Sequence, residues 1–142
     1  MTDRKACRGA GSGHSLDWLL DFGVDMRRDD ERLRELLLRI EDHDDWIFEH
    51  YLTSGSSDEH AKDYYHLRLL ADAGLLEETG RHGGNFRMTS QGYDFLDTIK
   101  NDTNWNRVKA FARNVAGGGV AAMVQVATEI VRKQIEGGLG LL

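Results

Sequence analysis

The chain has 142 residues, 40% of them hydrophobic, with one cysteine, no proline and a formal net charge of −6. That length fits one domain with extensions, and the apolar fraction can build a core, which excludes a globally disordered chain. The single Cys7 excludes an internal disulfide and a cysteine-based zinc cluster, and no apolar run reaches the ~18–20 residues of a membrane-spanning helix.

The N-terminus carries basic residues without the uninterrupted apolar stretch of a secretory signal, so a cytoplasmic, reducing location is expected. The charge is unevenly spread. Nine acids face three arginines between Asp29 and Glu49, whereas five basic residues face Glu129 and Glu136 from Asn104 onward. With no proline, turns must rely on Gly, Asn, Asp and Ser.

Residues 1–14 are small, polar and glycine-rich and read as a mobile tail. Ser15 to Phe22 has the makings of a short amphipathic helix through Leu16, Leu19, Leu20 and Phe22, ended by Gly23. Met26 opens a better-defined region, either a domain edge or an internal translation start. Asp29 or Asp30 can cap a first helix in which Leu33, Leu36, Leu37 and Ile40 recur at i, i+3, i+4 and i+7, one clean face ending near Asp42. The run Glu41 to Asp45 gathers carboxylates around His43, but lacks the periodic spacing of a calcium loop and reads better as a solvated helix end.

Trp46 to Leu52 is aromatic and β-favouring and predicts a short strand. After a turn at Thr53 to Ser57, a central helix is expected from Asp58 to Ala73, with no room for a separate helix before it. Its buried face centres on Leu67, with Tyr64, Leu70, Ala71 and Gly74 beside it; the opposite face carries Lys62, Tyr65, Arg68, Leu69 and Asp72. Two strands follow, Leu75 to Thr79 and Asn85 to Thr89, joined by the glycine-rich tip Gly80 to Gly84. Thr89 or Ser90 caps a helix that buries Gly92, Phe95, Leu96 and Ile99. Beyond a break at Asp102–Thr103, a helix from Asn104 to Val115 repeats Trp105, Val108 and Phe111, and after Gly117 to Gly119 a last helix runs from Val120 to about Ile135. The last helix has Val120, Met123, Val124, Ala127, Ile130 and Val131 on one wide apolar face. Such a face buries against the domain's own core, or against a partner or second copy in a homodimer.

Helix, two-stranded wing, helix is the second half of a winged helix-turn-helix. The expected fold is therefore α+β and mainly helical: an N-terminal extension (1–25), a winged-helix domain with a small β-hairpin wing (26–103), and extra C-terminal helices (104–142). The segment Tyr65 to Leu76 (YHLRLLADAGLL) resembles the motif that closes the recognition helix in ArsR- and MarR-like regulators. From Met26 to about Ile135 the chain is also similar to a family of short bacterial, phage and prophage proteins grouped as a domain of unknown function. That likeness rests on the Tyr-His…Leu-Leu…Ala-Gly-Leu motif, on Met88-Thr89-Ser90-Gln91-Gly92-Tyr93-Asp94-Phe95-Leu96, and on Asn101 to Val108.

Two functions follow as expectations. As a small transcriptional regulator, the protein would use Lys62, Tyr65, Arg68, Arg81, His82 and Arg87 on double-stranded DNA. As a protein-interaction module, it would engage a partner through its acidic first helix and its apolar last one. The reading half, Ser56 to Gly92, carries six acids against four basic residues, and duplex affinity comes mostly from neutralised phosphates, so the charge shows no basic footprint and favours the second function. The fold resemblance favours the first, and DNA binding is the expectation held ahead. An enzyme is not expected, since the six histidines are scattered and no phosphate loop, dinucleotide fingerprint or cofactor motif is present.

Overall fold

The computed structural model describes residues 26–115 and 117–140, so the expected tail and the Ser15–Phe22 helix lie outside the described residues. Helix α1 spans Asp30–Glu41. Its cap is Asp29, whose carboxylate accepts from the Glu31 and Arg32 amides at 3.1 and 3.3 Å. Asp30 and Glu31 sit in the first turn and Arg39 in the last, each placed to suit the helix dipole. Leu33, Leu36, Leu37 and Ile40 are buried, as their spacing requires.

Strand β1 is only Phe48–Glu49, and helix α2 runs Asp58–Asp72, capped by the Ser57 hydroxyl. Strands β2 (Leu76–Thr79) and β3 (Asn85–Met88) form an antiparallel hairpin, with Leu76 opposite Met88 and Thr79 opposite Asn85. β1 pairs with the other edge of β3, Phe48 opposite Phe86, giving the order β1-β3-β2. Three helices follow: α3 (Ser90–Ile99), α4 (Asp102–Arg113) and α5 (Val120–Gly140). The described residues thus form a mainly helical α+β fold, five helices with one small antiparallel sheet.

The junction between α2 and β2 shows how a short motif sets the architecture. Ala73 ends the helix and Gly74 turns left-handed at φ +82°. The Gly74 amide then donates to Ala71 O and the Leu75 amide to Leu70 O, both at 3.0 Å, the paired bonds of a Schellman closure. The chain leaves in the direction of β2, with Leu75 and Leu76 buried. Gly92 does a comparable service at the start of α3: a Cβ there would stand 2.1 Å from Leu75 O, so only glycine lets the helix lie against the strand.

One core joins all five helices and the sheet. Leu36, Leu37, Leu67, Leu70, Phe86, Leu96, Ile99, Trp105 and Met123 all belong to it. The C-terminal helices share this core rather than forming their own, and the Trp105 indole N–H is tied to the Glu31 carboxylate on α1 at 3.1 Å.

Three local expectations are corrected. The strand predicted over Trp46 to Leu52 shrinks to two residues, because the β3 partner ends at Asn85 and Trp46 stays exposed. The break before α4 falls at Lys100–Asn101, since the Asn101 side chain caps the Asn104 amide and starts the helix at Asp102. Phe111 is 55% exposed and Ala112 takes the buried place. Each step of three residues drifts about 60°, so the third position is about 120° off the face, whereas 105, 108 and 112 stay on one face.

Candidate functional site

Two faces can contact a partner. The first is the outward side of α2 with the hairpin packed against that helix, the two elements that carry the candidate DNA contacts. Lys62, Tyr65, Arg68 and Leu69 are half-buried along α2, Arg87 lies on β3, and Arg81 and His82 are exposed at the hairpin tip.

The structure also supplies these cations with anions. Lys62 lies 3.7 Å from Glu59. Arg87 Nε meets Glu77 at 2.6 Å across the hairpin, where the two residues are register partners. Arg68 Nε stands 3.3 Å from Glu78, and the Arg68 guanidinium also donates to the Tyr64 hydroxyl at 3.4 Å. Glu78 in turn accepts from the Tyr64 O–H and the Gly84 N–H, both at 2.9 Å. Arg68 is therefore a link in a clamp that fastens the hairpin to α2. Its hydrogen bond to Tyr64, with Glu78 alongside, raises its pKa, and burial raises that of Tyr64. Among the described residues, Arg81 has no ion-pair or hydrogen-bond partner and stands alone among the four basic candidates.

Beneath this face lies a charge cluster that sequence reading did not separate from the surface. Asp63 is only 9% exposed and takes Arg32 at 2.6 Å and Arg39 at 3.3 Å, both from α1. Arg32 extends to Glu59 at 2.8 Å, and that bond raises the Arg32 pKa and lowers that of Glu59. His66, 1% exposed, accepts the Asp29 N–H on Nε2 at 2.8 Å, so Nδ1 carries the proton and donates to Lys62 O at 2.7 Å. Burial lowers its pKa, consistent with a neutral ring. Asp63 and His66 thus join α2 to α1. Their i, i+3 spacing was visible in the sequence, but the arginines that answer Asp63 are 24 and 31 residues away.

The second face is an open groove of about 650 Å³ between α3 and α5. Phe95, Val124, Ala127, Val131 and Ile135 line its apolar part, and Asp94, Asp97, Arg132 and Glu136 its polar part. Of the six candidate interface residues on the last helix, Val120, Met123, Ala127 and Ile130 are buried in the chain's own core. Val124 and Val131 remain half-buried at the groove, with Ile135 56% exposed one turn further on. Arg132 is held by Glu129 at 2.7 Å and Glu136 at 3.1 Å, and on the α3 wall Asp97 lies 3.7 Å from Lys100, with Asp94 beside it at the groove.

Among the described residues, no three His, Cys, Asp or Glu side chains are grouped to hold a metal, and no helix is long and apolar enough to cross a membrane.

The chain is 33% identical over 78 residues to an uncharacterised protein of Haemophilus influenzae, a match covering 50% of this chain and 66% of that protein. No solved structure matches it. The family described as hypothetical protein (DUF2513) matches residues 27–119, from the start of α1 to the edge of α5. The chain belongs to that family.

Proposed function

We propose that this chain is a winged-helix protein that acts by binding another protein, with the α3–α5 groove as its contact surface and α2 and the hairpin as a scaffold. The order helix, short strand, helix, hairpin, helix and the sheet order β1-β3-β2 support the winged-helix reading. One observation carries the choice of partner class: three of the four basic residues on the α2–hairpin face are already paired with carboxylates of that face. Binding DNA there would exchange each pair for a phosphate contact and strand its carboxylate against the polyanion, so little counterion-release energy is gained. The groove asks for no such exchange. Its apolar side chains suit one face of a short amphipathic helix.

The second reading is a cytoplasmic DNA-binding regulator, of the sort phages and prophages encode. The exposed hairpin tip with Arg81 and His82 favours it, since a cationic wing can reach a phosphate or minor groove.

The deciding experiment compares partner capture from the host by three full-length proteins: wild type, Val131→Glu, and Arg68→Glu with Arg87→Glu. Groove binding predicts that Val131→Glu loses the partner and the double variant keeps it. The reverse pattern would move function to α2 and the hairpin.

A further inference from the structure

We propose that His50 and His60 form a pH-operated clasp, which holds the end of β1 and the residues after it against the hairpin and α2 while both rings are neutral, and releases them in mild acid.

The clasp is built from two rings and the backbone each ring reaches. The imidazoles stack with 3.8 Å between centroids and 12° between planes. His50 donates from Nε2 to the His60 carbonyl at 2.9 Å, and His60 from Nε2 to the Tyr51 carbonyl at 2.5 Å. Each ring thus grips the other's segment, and together they tie the exit of β1 to the first turn of α2. With both Nε2 atoms donating, each neutral ring carries its proton there and its lone pair on Nδ1.

What the clasp secures is the outer cover of β3. The His50 amide donates to Gly84 O at 2.8 Å, which continues the β1–β3 pairing beyond Glu49. Beside it the Tyr51 hydroxyl donates to Asn85 Oδ1 at 2.6 Å, and the Tyr51 ring lies so close over Gly84 that a Cβ there would stand 2.4 Å from it. Leu52 packs on the core from the same stretch.

The surroundings make a charge on His50 costly. The ring is 7% exposed, so a cation there loses its hydration, and burial lowers its pKa. His60 stands against it, and from α1 Arg39 adds like charge. His43, also beyond α1, meets Phe48 edge-on, and Phe48 in turn stacks on His50 at 6.2 Å. On α2, Asp63 favours a charged His50, but its carboxylate is already held by Arg32 and Arg39. Asp58 and Glu59 share the first turn with His60, and Glu59 is taken by Arg32 and Lys62. From the hairpin come only the uncharged Gly84 carbonyl and the Asn85 amide.

The sign follows from where the proton binds. A released His50 takes its proton near the ordinary value of about 6.5, and the clasped ring only below it. Closure is therefore full above that value and is lost as pH falls through it. Each ring that gains a proton on release multiplies the open population about tenfold per pH unit. The Glu78 clamp contains no imidazole, so the hairpin keeps its hold on α2 while the stretch from His50 to Leu52 leaves.

Amide hydrogen exchange of the full chain between about pH 7.5 and 5 tests the clasp, because the His50 N–H is one of the bonds it keeps. Protection of that amide, relative to its rate in an unstructured peptide, should fall about tenfold or more per pH unit below 6.5, and Leu67 and Leu70 in the core should fall less. Constant protection at His50 overturns the proposal. So does a fall equal to that of Leu67 and Leu70, which would report global unfolding. His50→Gln with His60→Gln can donate to the same carbonyls but takes no proton, and should remove the slope at residue 50. A slope that survives in this folded variant also overturns the clasp. Ring-nitrogen spectra of the wild type give a second measurement that needs no variant. The His50 ring should charge over the same pH range in which its amide loses protection, and a ring that charges under a protected amide rules out release.

Discussion

The α2–hairpin face and the α3–α5 groove are built from opposite materials, and the difference shows where binding energy is still unspent. On the first, Glu78 gathers Tyr64, Arg68 and the Gly84 amide, Glu77 takes Arg87, and Glu59 takes Lys62. The Glu78 cluster holds the hairpin on the helix, while the Glu77–Arg87 pair lies across the hairpin itself and the Glu59–Lys62 pair within α2. On the second, Val124, Val131 and Ile135 keep apolar surface in water while the polar groups around them are paired or solvated. Apolar area gains on burial without first breaking an existing bond, at roughly 25 cal/mol per Å². A face with satisfied charges must lose something before it can bind.

The largest effect that would separate the two regions is expected at Asp63. Asp63→Ala leaves Arg32 and Arg39 without the carboxylate between α1 and α2, and urea unfolding should record a loss of about 2–3 kcal/mol, reduced by the partial exposure of both arginines. A loss near zero would mean that the cluster under the first face is solvated, not structural.

Glu78→Ala should cost less, about 1–2 kcal/mol, because the clamp reaches the surface and Arg68 is 38% exposed. It should also free Arg68 and make the face more cationic, so weak, salt-sensitive DNA retention absent from wild type is expected. Unchanged stability would break the claim that this carboxylate fastens the hairpin.

A smaller effect is expected from pH. Burial lowers the pKa of both His66 and His50, so the unfolded chain binds protons more readily than the folded one. Stability should therefore be full above the ordinary histidine value near 6.5, fall as pH drops through it, and level off below the folded values. His66→Gln should make that decline shallower in thermal melts recorded from pH 8 to 5. An unchanged slope would remove His66 as a contributor.

The smallest change in stability is expected at the groove. Val131→Ser should alter unfolding by no more than about 0.5 kcal/mol, since the side chain is half-exposed and bonds nothing. A larger loss would mean that the groove belongs to the core.

Much of this was legible along the chain. The Leu33–Ile40 spacing read correctly as a buried helical face, and Ala73-Gly74-Leu75 located the end of α2 because local hydrogen bonds alone decide it. The helical period likewise put Lys62 and Arg68 among the half-buried residues of α2, and the hairpin pattern put Arg87 on the second wing strand. What stayed hidden is long-range. Glu78 lies fourteen residues from Tyr64 and reads as an ordinary acid on a strand until the hairpin folds back. Asp63 reads as surface charge because nothing near it in sequence names Arg32 or Arg39. The groove is set by how α5 lies against α3, and the wide apolar face of α5 could not tell which of its residues the core would claim.

The most direct test of the contrast is a salt titration of the full-length wild type against mixed-sequence duplex DNA. Paired cations predict no retention even at low ionic strength by a protein whose spectrum shows it folded. Retention that weakens steeply with salt would report several phosphate contacts, and would contradict the assignment of the α2–hairpin face as scaffold.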